Sequence, residues 1–375
     1  MPIQILFAVG VGGTPVLLAV HLASQGQGAI AVGVSAAAAP LGIFLASFVI
    51  ASVTHRIRAT HIALACCGLG IAALAAMALA PYPFLWFGSR VVWGFGVGGF
   101  YILNKAWLAQ LTPPSRRGQA FGLYGALLSA GFATGPLLVS ALNFQPLPCF
   151  AVLAFSFAAA AFGVRWQVGR LPDFTGMTRL RVIGVLPSIV VALLAAAIFG
   201  FFDHVTLAFL PMYGLARGTS AAALGVGLSF LNVGNLLFQP VIGCISDHCG
   251  RRPTMVGCAL LASLGAWTLP FVIATPLLYP FLLVWGACAF GAITVAFAAI
   301  SDGYRGSRLL ACSAAMTMAG ASGGMVGPPI VGWAQAVAGP QALVHILAGA
   351  FFFLTVMASV LPIVRGASCA ESCQN

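Results

Sequence analysis

Asp203 and Arg90 are the residues of this chain best placed, by type and surroundings, to do chemistry. The 375 residues include five acids only, Asp173, Asp203, Asp247, Asp302 and Glu371. Asp203 alone stands well inside a long apolar run, followed by His204 and then Pro211 eight residues on. Arg90 stands about eight residues, roughly 12 Å, inside another run, a depth matching that of Asp203. A charge held among apolar residues is costly and marks a function by default. Burial opposes ionisation of an aspartate, and a nearby guanidinium favours it. An Asp203 whose arginine partner comes and goes would therefore take up and release a proton. The alternatives are a static ion pair, or side chains that snorkel out to the head groups. His204 points about 100° away from Asp203 on a helix and is a weak relay. Lys105, in Asn104-Lys105-Ala106-Trp107, and Asp302 lie near the ends of their runs. They read either as a gate pair or as simple interfacial charges, with Arg305 as the other partner open to Asp302.

Other chemistries lack their residues. There is no paired-carboxylate, Ser-His-Asp or Cys-His set that a fold of this kind would assemble, and no glycine loop with a phosphate-cradling lysine. An enzyme is not expected, nor a cofactor. Cys244 and Cys249 flank Asp247 without a second ligand pair, so no metal site is expected either. Most of the ten cysteines lie in apolar runs, where Cys acts as a small hydrophobe. Cys369 and Cys373 sit in a polar tail where lipidation is open. The net charge of +11 comes in ones and twos at the ends of runs, with no extended basic face. It reads as topology signals and attraction to anionic lipid, not as nucleic-acid binding.

The elements that must position these residues follow from composition. The chain is 61% hydrophobic and 6% charged, against about 25% charged in soluble proteins, and its mean hydropathy is +1.07. A membrane span takes roughly 20 apolar residues, and apolar runs of that length must be helices, since hydrocarbon leaves no other partner for the backbone. The alternation of a barrel is absent. Apolar runs fall at 3–22, 28–53, 60–80, 83–110, 118–141, 147–167, 183–212, 219–246, 253–274, 277–302, 308–337 and 341–364. The reading is an all-α integral membrane protein of twelve transmembrane helices. Arg56, Arg58, Arg116, Arg117, Arg165, Arg170, Arg179, Arg181, Arg251, Arg252, Arg305, Arg308 and Arg365 follow even-numbered runs, whereas the odd loops carry only Arg217. This bias predicts cytoplasmic even loops and termini, in an inner (plasma) membrane crossed many times. The start lacks a basic lead-in, so no cleaved signal is expected, and an earlier start codon stays open.

The chain repeats itself at an offset of 192. Gly33 maps to Gly225, Gly42 to Gly234, Trp93-Gly94 to Trp285-Gly286 and Arg116 to Arg308; Gly131, Gly135 and Pro136 map to Gly323, Gly327 and Pro328. Two parallel six-helix repeats follow, over 1–167 and 183–375, joined by a cytoplasmic linker at 168–182, with any solute site between them near mid-membrane. Gly243-Cys-Ile-Ser-Asp247-His-Cys-Gly250-Arg251-Arg252 forms a tight basic turn between the eighth and ninth runs, while its counterpart at 51–60 has lost both glycines and the acid.

The 243–252 turn resembles the loop signature of the major facilitator superfamily of transporters. Arg90 with Gly94, Gly96 and Gly98 resembles the arginine-plus-glycine pattern in the fourth helix of proton-coupled members, with Trp93 standing where those often carry a polar residue. The Gly131-x-x-x-Gly135-Pro136 block resembles the signature of the antiporter branches, although Val139 and Ser140 stand where two more glycines are usual. The resemblance implies a secondary transporter, proton-coupled and moving a small organic solute outward by alternating access. It implies a cavity lined by helices one, four, seven and ten, with Arg90, Trp93, Lys105, Asp203 and His204 as candidates. It also implies a gate in which Asp247, beside Arg251 and Arg252, braces the start of the fifth helix near Gly118. With two cations against one acid, anionic or neutral solutes are favoured over polycations. The expected partners are that solute, protons and the bilayer, for a chain acting as a monomer. The other readings are an importing uniporter or proton symporter, and a sensor or assembly factor that has kept the fold without transport.

Overall fold

A computed structural model of the chain describes residues 2–54, 56–79, 83–112, 117–169, 171–173, 183–304 and 306–364. Among these every regular element is helical: α1 (Pro2–Ser24), α2 (Ala29–Val53), α3 (Ala59–Leu79), α4 (Pro83–Leu111), α5 (Arg117–Ala141), α6 (Pro146–Trp166), α7 (Val190–Leu215), α8 (Ala221–Cys249), α9 (Arg251–Val272), α10 (Leu278–Gly303), α11 (Gly306–Ala338) and α12 (Ala342–Val360), with a short 3-10 segment at Ile183–Ser188. Ten of them are long and apolar enough to cross a membrane by composition alone. The other two are α4, diluted by Arg90, Asn104 and Lys105, and α11, rich in Gly, Ser and Thr. Arg116, Arg170, Arg179, Arg181, Arg305, Arg365, Cys369, Glu371 and Cys373 lie outside the described residues.

The helices fall within a few residues of the apolar runs, with one consequential exception. The seventh run was expected over 183–212. Residues 183–188 form the 3-10 segment, with Pro187 inside it, and α7 begins at Val190. At its other end α7 passes through Pro211 and stops at Leu215. Asp203 therefore lies twelve residues from that end, about 18 Å, whereas Arg90 lies seven residues from Pro83, about 10 Å. The expected common depth does not hold.

The first six helices pack mainly among themselves: α1 on α5 and α6, and α4 on α2 and α3. The last six do likewise, α7 on α11, α8 on α10, and α9 on α10 and α12. A seam joins the sets, with α2 against α11, α5 against α8, and α1 and α2 touching α7. The repeat is visible in how backbones approach. A Cβ on Gly42 or Gly94 would strike the carbonyls of Val91 or Ala39; on the twins Gly234 and Gly286 it would strike Leu283 and Leu231, the same positions 192 residues on. Gly131 and Gly135 seat α1 at Ile5, Val9 and Gly13, and Gly323 and Gly327 seat α7 at Ala197, Phe201 and Val205. Small residues at these positions let helices pack backbone to backbone. Pro136 and Pro328 lie within their helices, which continue past them.

One end of the bundle carries the turns with Arg56, Arg58, Arg251 and Arg252, and is called the basic end below. At the far end the seam is closed by glycines set against backbone and a few side chains. Gly33 abuts the Pro328 carbonyl and the Phe209 ring, Gly332 abuts the Ala29 carbonyl, and Gly225 faces Ser140. Ser140 also donates to the Ala222 carbonyl at 3.4 Å.

Candidate functional site

The seating of α7 on α11 sets the direction of Asp203 and His204. Gly324 leaves the space that the His204 ring fills. That ring has Nδ1 2.9 Å from the carbonyl of Gly200 on its own helix and 3.8 Å from the Asp203 carboxylate. His204 thus faces α11. Asp203, with its side chain 21% exposed, lies within electrostatic range of the Tyr101 hydroxyl of α4, in the other set of helices. Arg90 does not meet it. Arg90 as a whole is 4% exposed, and its guanidinium donates from Nη1 to Ser35 Oγ of α2 at 2.9 Å. The Arg90–Asp203 pairing anticipated from depth is absent because α4 and α7 hold the two residues at different heights and turn Arg90 toward α2. Trp93 is 2% exposed and packs near Phe157, within the first set of helices.

Lys105 reaches across the seam. Its Nζ donates to Thr317 Oγ1 of α11 at 3.5 Å, and among the described residues no carboxylate comes within ion-pair distance of it. Asp302, considered as its partner, is bound elsewhere, as described below. One helical turn deeper than Lys105 stands Tyr101, which packs edge-on against Phe7 at 5.3 Å. Tyr101 neighbours Tyr124 of α5, and Gln4 of α1 sits beside the Tyr124 hydroxyl without a well-aligned hydrogen bond. Gln4 Nε2 and the hydroxyls of Tyr101 and Tyr124 are shut off from solvent and make no well-aligned hydrogen bond. A second polar group crosses the seam nearby: Asn235 donates to Ser129 at 3.0 Å, and Gln239 donates to Asn235 at 2.5 Å. Sequence reasoning passed over Gln4, Tyr101, Tyr124, Asn235 and Gln239. Their signal was available as uncharged polar side chains inside apolar runs, and as the four-residue spacing of Tyr101 and Lys105, which puts both on one helix face.

At the basic end the 243–252 turn contracts to a single residue. Gly250, at φ 93°, ends α8 and opens α9, in a region that disfavours any side chain. Gly243 has open space where a Cβ would stand. Arg251 bridges Asp247 at 2.5 Å and Asp302 of α10 at 2.8 Å, and also reaches Ser246 at 3.0 Å. Arg252 donates to the carbonyls of Ala358 and Ser359 at the end of α12, where a cation suits the helix dipole. Asp247, 62% exposed, thus pairs within the second set of helices. In the first set the missing acid is supplied from 171–173: Asp173 accepts from the Ala59 amide at the start of α3 at 3.3 Å and lies 4.0 Å from Arg58, while Trp107 donates to the Pro172 carbonyl at 3.0 Å.

Two apolar clefts of about 380 and 340 Å³ lie elsewhere, one between α8, α9 and α10, the other between α2, α3 and α4. They are twins: Val49, Ile50, Cys66 and Leu69 line one, and Val241, Ile242, Cys258 and Leu261 the other. Neither touches Asp203 or Lys105. Among the described residues no group of three or more His, Cys, Asp or Glu is placed to hold a metal ion.

The sequence model of the family described as Major Facilitator Superfamily matches residues 1–214 and 192–367. The chain belongs to the Major Facilitator Superfamily. It is 24% identical over 213 residues to an uncharacterized MFS-type transporter, YfkF, of Bacillus subtilis (strain 168), covering 52% of this chain and 54% of that one. It is 22% identical over 253 residues to the uncharacterized MFS-type transporter YE1530 of Yersinia enterocolitica, covering 65% and 63%. The match thus spans between half and two thirds of the length of these curated relatives. Among solved structures, the nucleoside transporter NupG superposes with a TM-score of 0.76 at 14% identity, covering 96% of this chain and 98% of that one. A D-xylose–proton symporter superposes at 0.73 with 18% identity, covering 98% and 97%. At these identities the likeness is one of fold, and the twelve-helix arrangement of this superfamily member agrees with it.

Proposed function

We propose that this superfamily member is a proton-coupled secondary transporter that moves a small organic solute outward by alternating access. A single copy would act in a bacterial-type inner membrane with its basic end in the cytoplasm. One observation carries the coupling: Asp203 is the acid held deep within the spans, mostly buried and within electrostatic reach of Tyr101 across the seam. A carboxylate there is hydrated or enclosed as the halves rock, and the proton affinity of such a group follows its surroundings. The glycine-lined far-end contacts act as the outer gate, and the Asp247–Arg251–Asp302 cluster organises the inner one. Arg90, held by Ser35, supports the α2–α4 pairing and stands outside the proton step. Outward movement is favoured by the Gly131-x-x-x-Gly135-Pro136 block. The twin block at 323–328 shows that such a block also packs helices, so import by symport is the second reading.

The test is flux in reconstituted vesicles, with lumenal pH followed across a panel of solutes. A solute that moves protons with the native chain should move none with Asp203→Asn, while its uncoupled exchange persists. Unchanged proton flux in that variant would remove Asp203 from the mechanism, and proton flux of the opposite sense would turn the exporter into an importer.

A further inference from the structure

We infer that Lys105, Tyr101, Tyr124 and Gln4 form a recognition site for a small organic carboxylate. The inference rests on the transport reading only in taking the seam between the halves as the solute's path. Its first support is the isolation of Lys105. This ammonium stands six residues, about 9 Å, inside the basic end of α4, and its recorded contact is one hydroxyl, Thr317, across the seam. A charge in a span with no carboxylate in ion-pair range, as for Lys105 among the described residues, is costly, and such residues face a bundle interior or pathway. A structural role would have been met by a neutral side chain or by a paired acid.

The second support is independent of charge. Gln4 and Tyr124 are 4% and 7% exposed. The Gln4 amide N–H and the hydroxyls of Tyr124 and Tyr101 make no well-aligned hydrogen bond in the protein, although Gln4 sits beside Tyr124. Leaving such groups unpaired is costly, and three of them are drawn together from α1, α4 and α5. Their common chemistry is donation, because an amide N–H, two phenolic O–H groups and an ammonium all seek acceptor oxygens. Tyr101 and Lys105 are one turn apart on the same helix face, a spacing that a carboxylate with a short carbon body spans. Asp203 lies about 10 Å deeper along the bundle than Lys105. An anion at the ammonium is therefore kept off the acid, while the solute's body extends toward Tyr101. Arg90 is no part of the site: fifteen residues separate it from Lys105 along α4, about 22 Å.

The experiment is binding by the full chain in detergent micelles, read by tryptophan fluorescence and by thermal shift. The probes are lactate, benzoate and hexanoate, each beside its neutral amide. At least one carboxylate should bind at least about tenfold tighter than its amide, the worth of a hydrogen bond to a charge. Lys105→Gln should erase that preference and Lys105→Arg restore most of it, with Tyr124→Phe weakening the carboxylate severalfold at unchanged thermal stability. Equal binding of acids and amides, no binding by any carboxylate, or a preference that survives Lys105→Gln would each overturn the inference. The vesicle assay separates the two proposals. Carboxylate binding without flux leaves this site standing and sinks transport. Proton-coupled flux of neutral or cationic solutes, without carboxylate binding, does the reverse.

Discussion

At the scale of single residues, the repeat pairs side chains that share a position and differ in circumstances. Trp285 donates its indole N–H to the Ala262 carbonyl at 2.9 Å and is wedged on Gly265, beside Phe202 and Phe281. Its twin Trp93 is equally buried, but its N–H has no partner. Trp285→Phe is therefore expected to destabilise the chain by about 1 kcal/mol, and Trp93→Phe by less or not at all. Thermal unfolding of the two variants in one detergent decides it. Equal losses would mean that ring volume, not the hydrogen bond, sets the cost. The same contrast shows what a sequence carries. That two tryptophans occupy twin positions was legible from the offset of 192. Which of them is satisfied was not, because the acceptor belongs to a helix more than twenty residues away in the chain. Asp203 was likewise legible as an acid in a span. Its separation from Arg90 was hidden by the assumption that α7 ends at Pro211, whereas one proline within a helix removes one hydrogen bond and need not stop it.

At the scale of elements, the basic-end turns show how similar positions are stabilised by different parts of the chain. The second turn carries its own acid, glycine and arginines. The first has lost acid and glycines, and Asp173 takes up the amide of Ala59 at the start of α3. A carboxylate at a helix start contributes about 0.3–1 kcal/mol, and the Arg58 contact, at 4.0 Å and largely exposed, adds little. Asp173→Ala should lower stability by that amount and Asp173→Asn by less, since the amide oxygen can still accept. Loss of solute flux without loss of stability would show that Asp173 serves motion rather than anchoring. No turn-signature search finds this acid, because it lies more than a hundred residues from the turn it serves. The helices themselves were legible to within a few residues, the start of α7 excepted, since apolar length in a membrane admits few structures. Side-chain partners at their ends were not. Asp302 chose Arg251 over Lys105, and Arg252 chose the end of α12 over a gate.

At the scale of the whole molecule, the halves meet through glycine at the far end and through polar side chains deeper in. Gly33→Leu places a branched chain where the Pro328 carbonyl now lies. The prediction is a shift of population toward a form open at the far end, with little change in the packing of either half. Labelling of a cysteine introduced at Ser140, under a thiol reagent confined to that side, should rise severalfold. Unchanged labelling would place the closing contact elsewhere. The same reasoning explains how much of the site was readable. Composition, repeat and turn signature indicated two bundles and a seam. The donors Gln4, Tyr101 and Tyr124 carry no signature, because tyrosine and glutamine are ordinary residues until the fold draws them together.

Contacts made by carbonyls and glycine Cα atoms have no rotamers with which to compromise. A seal of that kind is either seated or parted, and half-measures cost nearly as much as full separation. Single-molecule distance traces across the far end should accordingly dwell at two levels with abrupt passages between them, the behaviour of a latch and not of a spring.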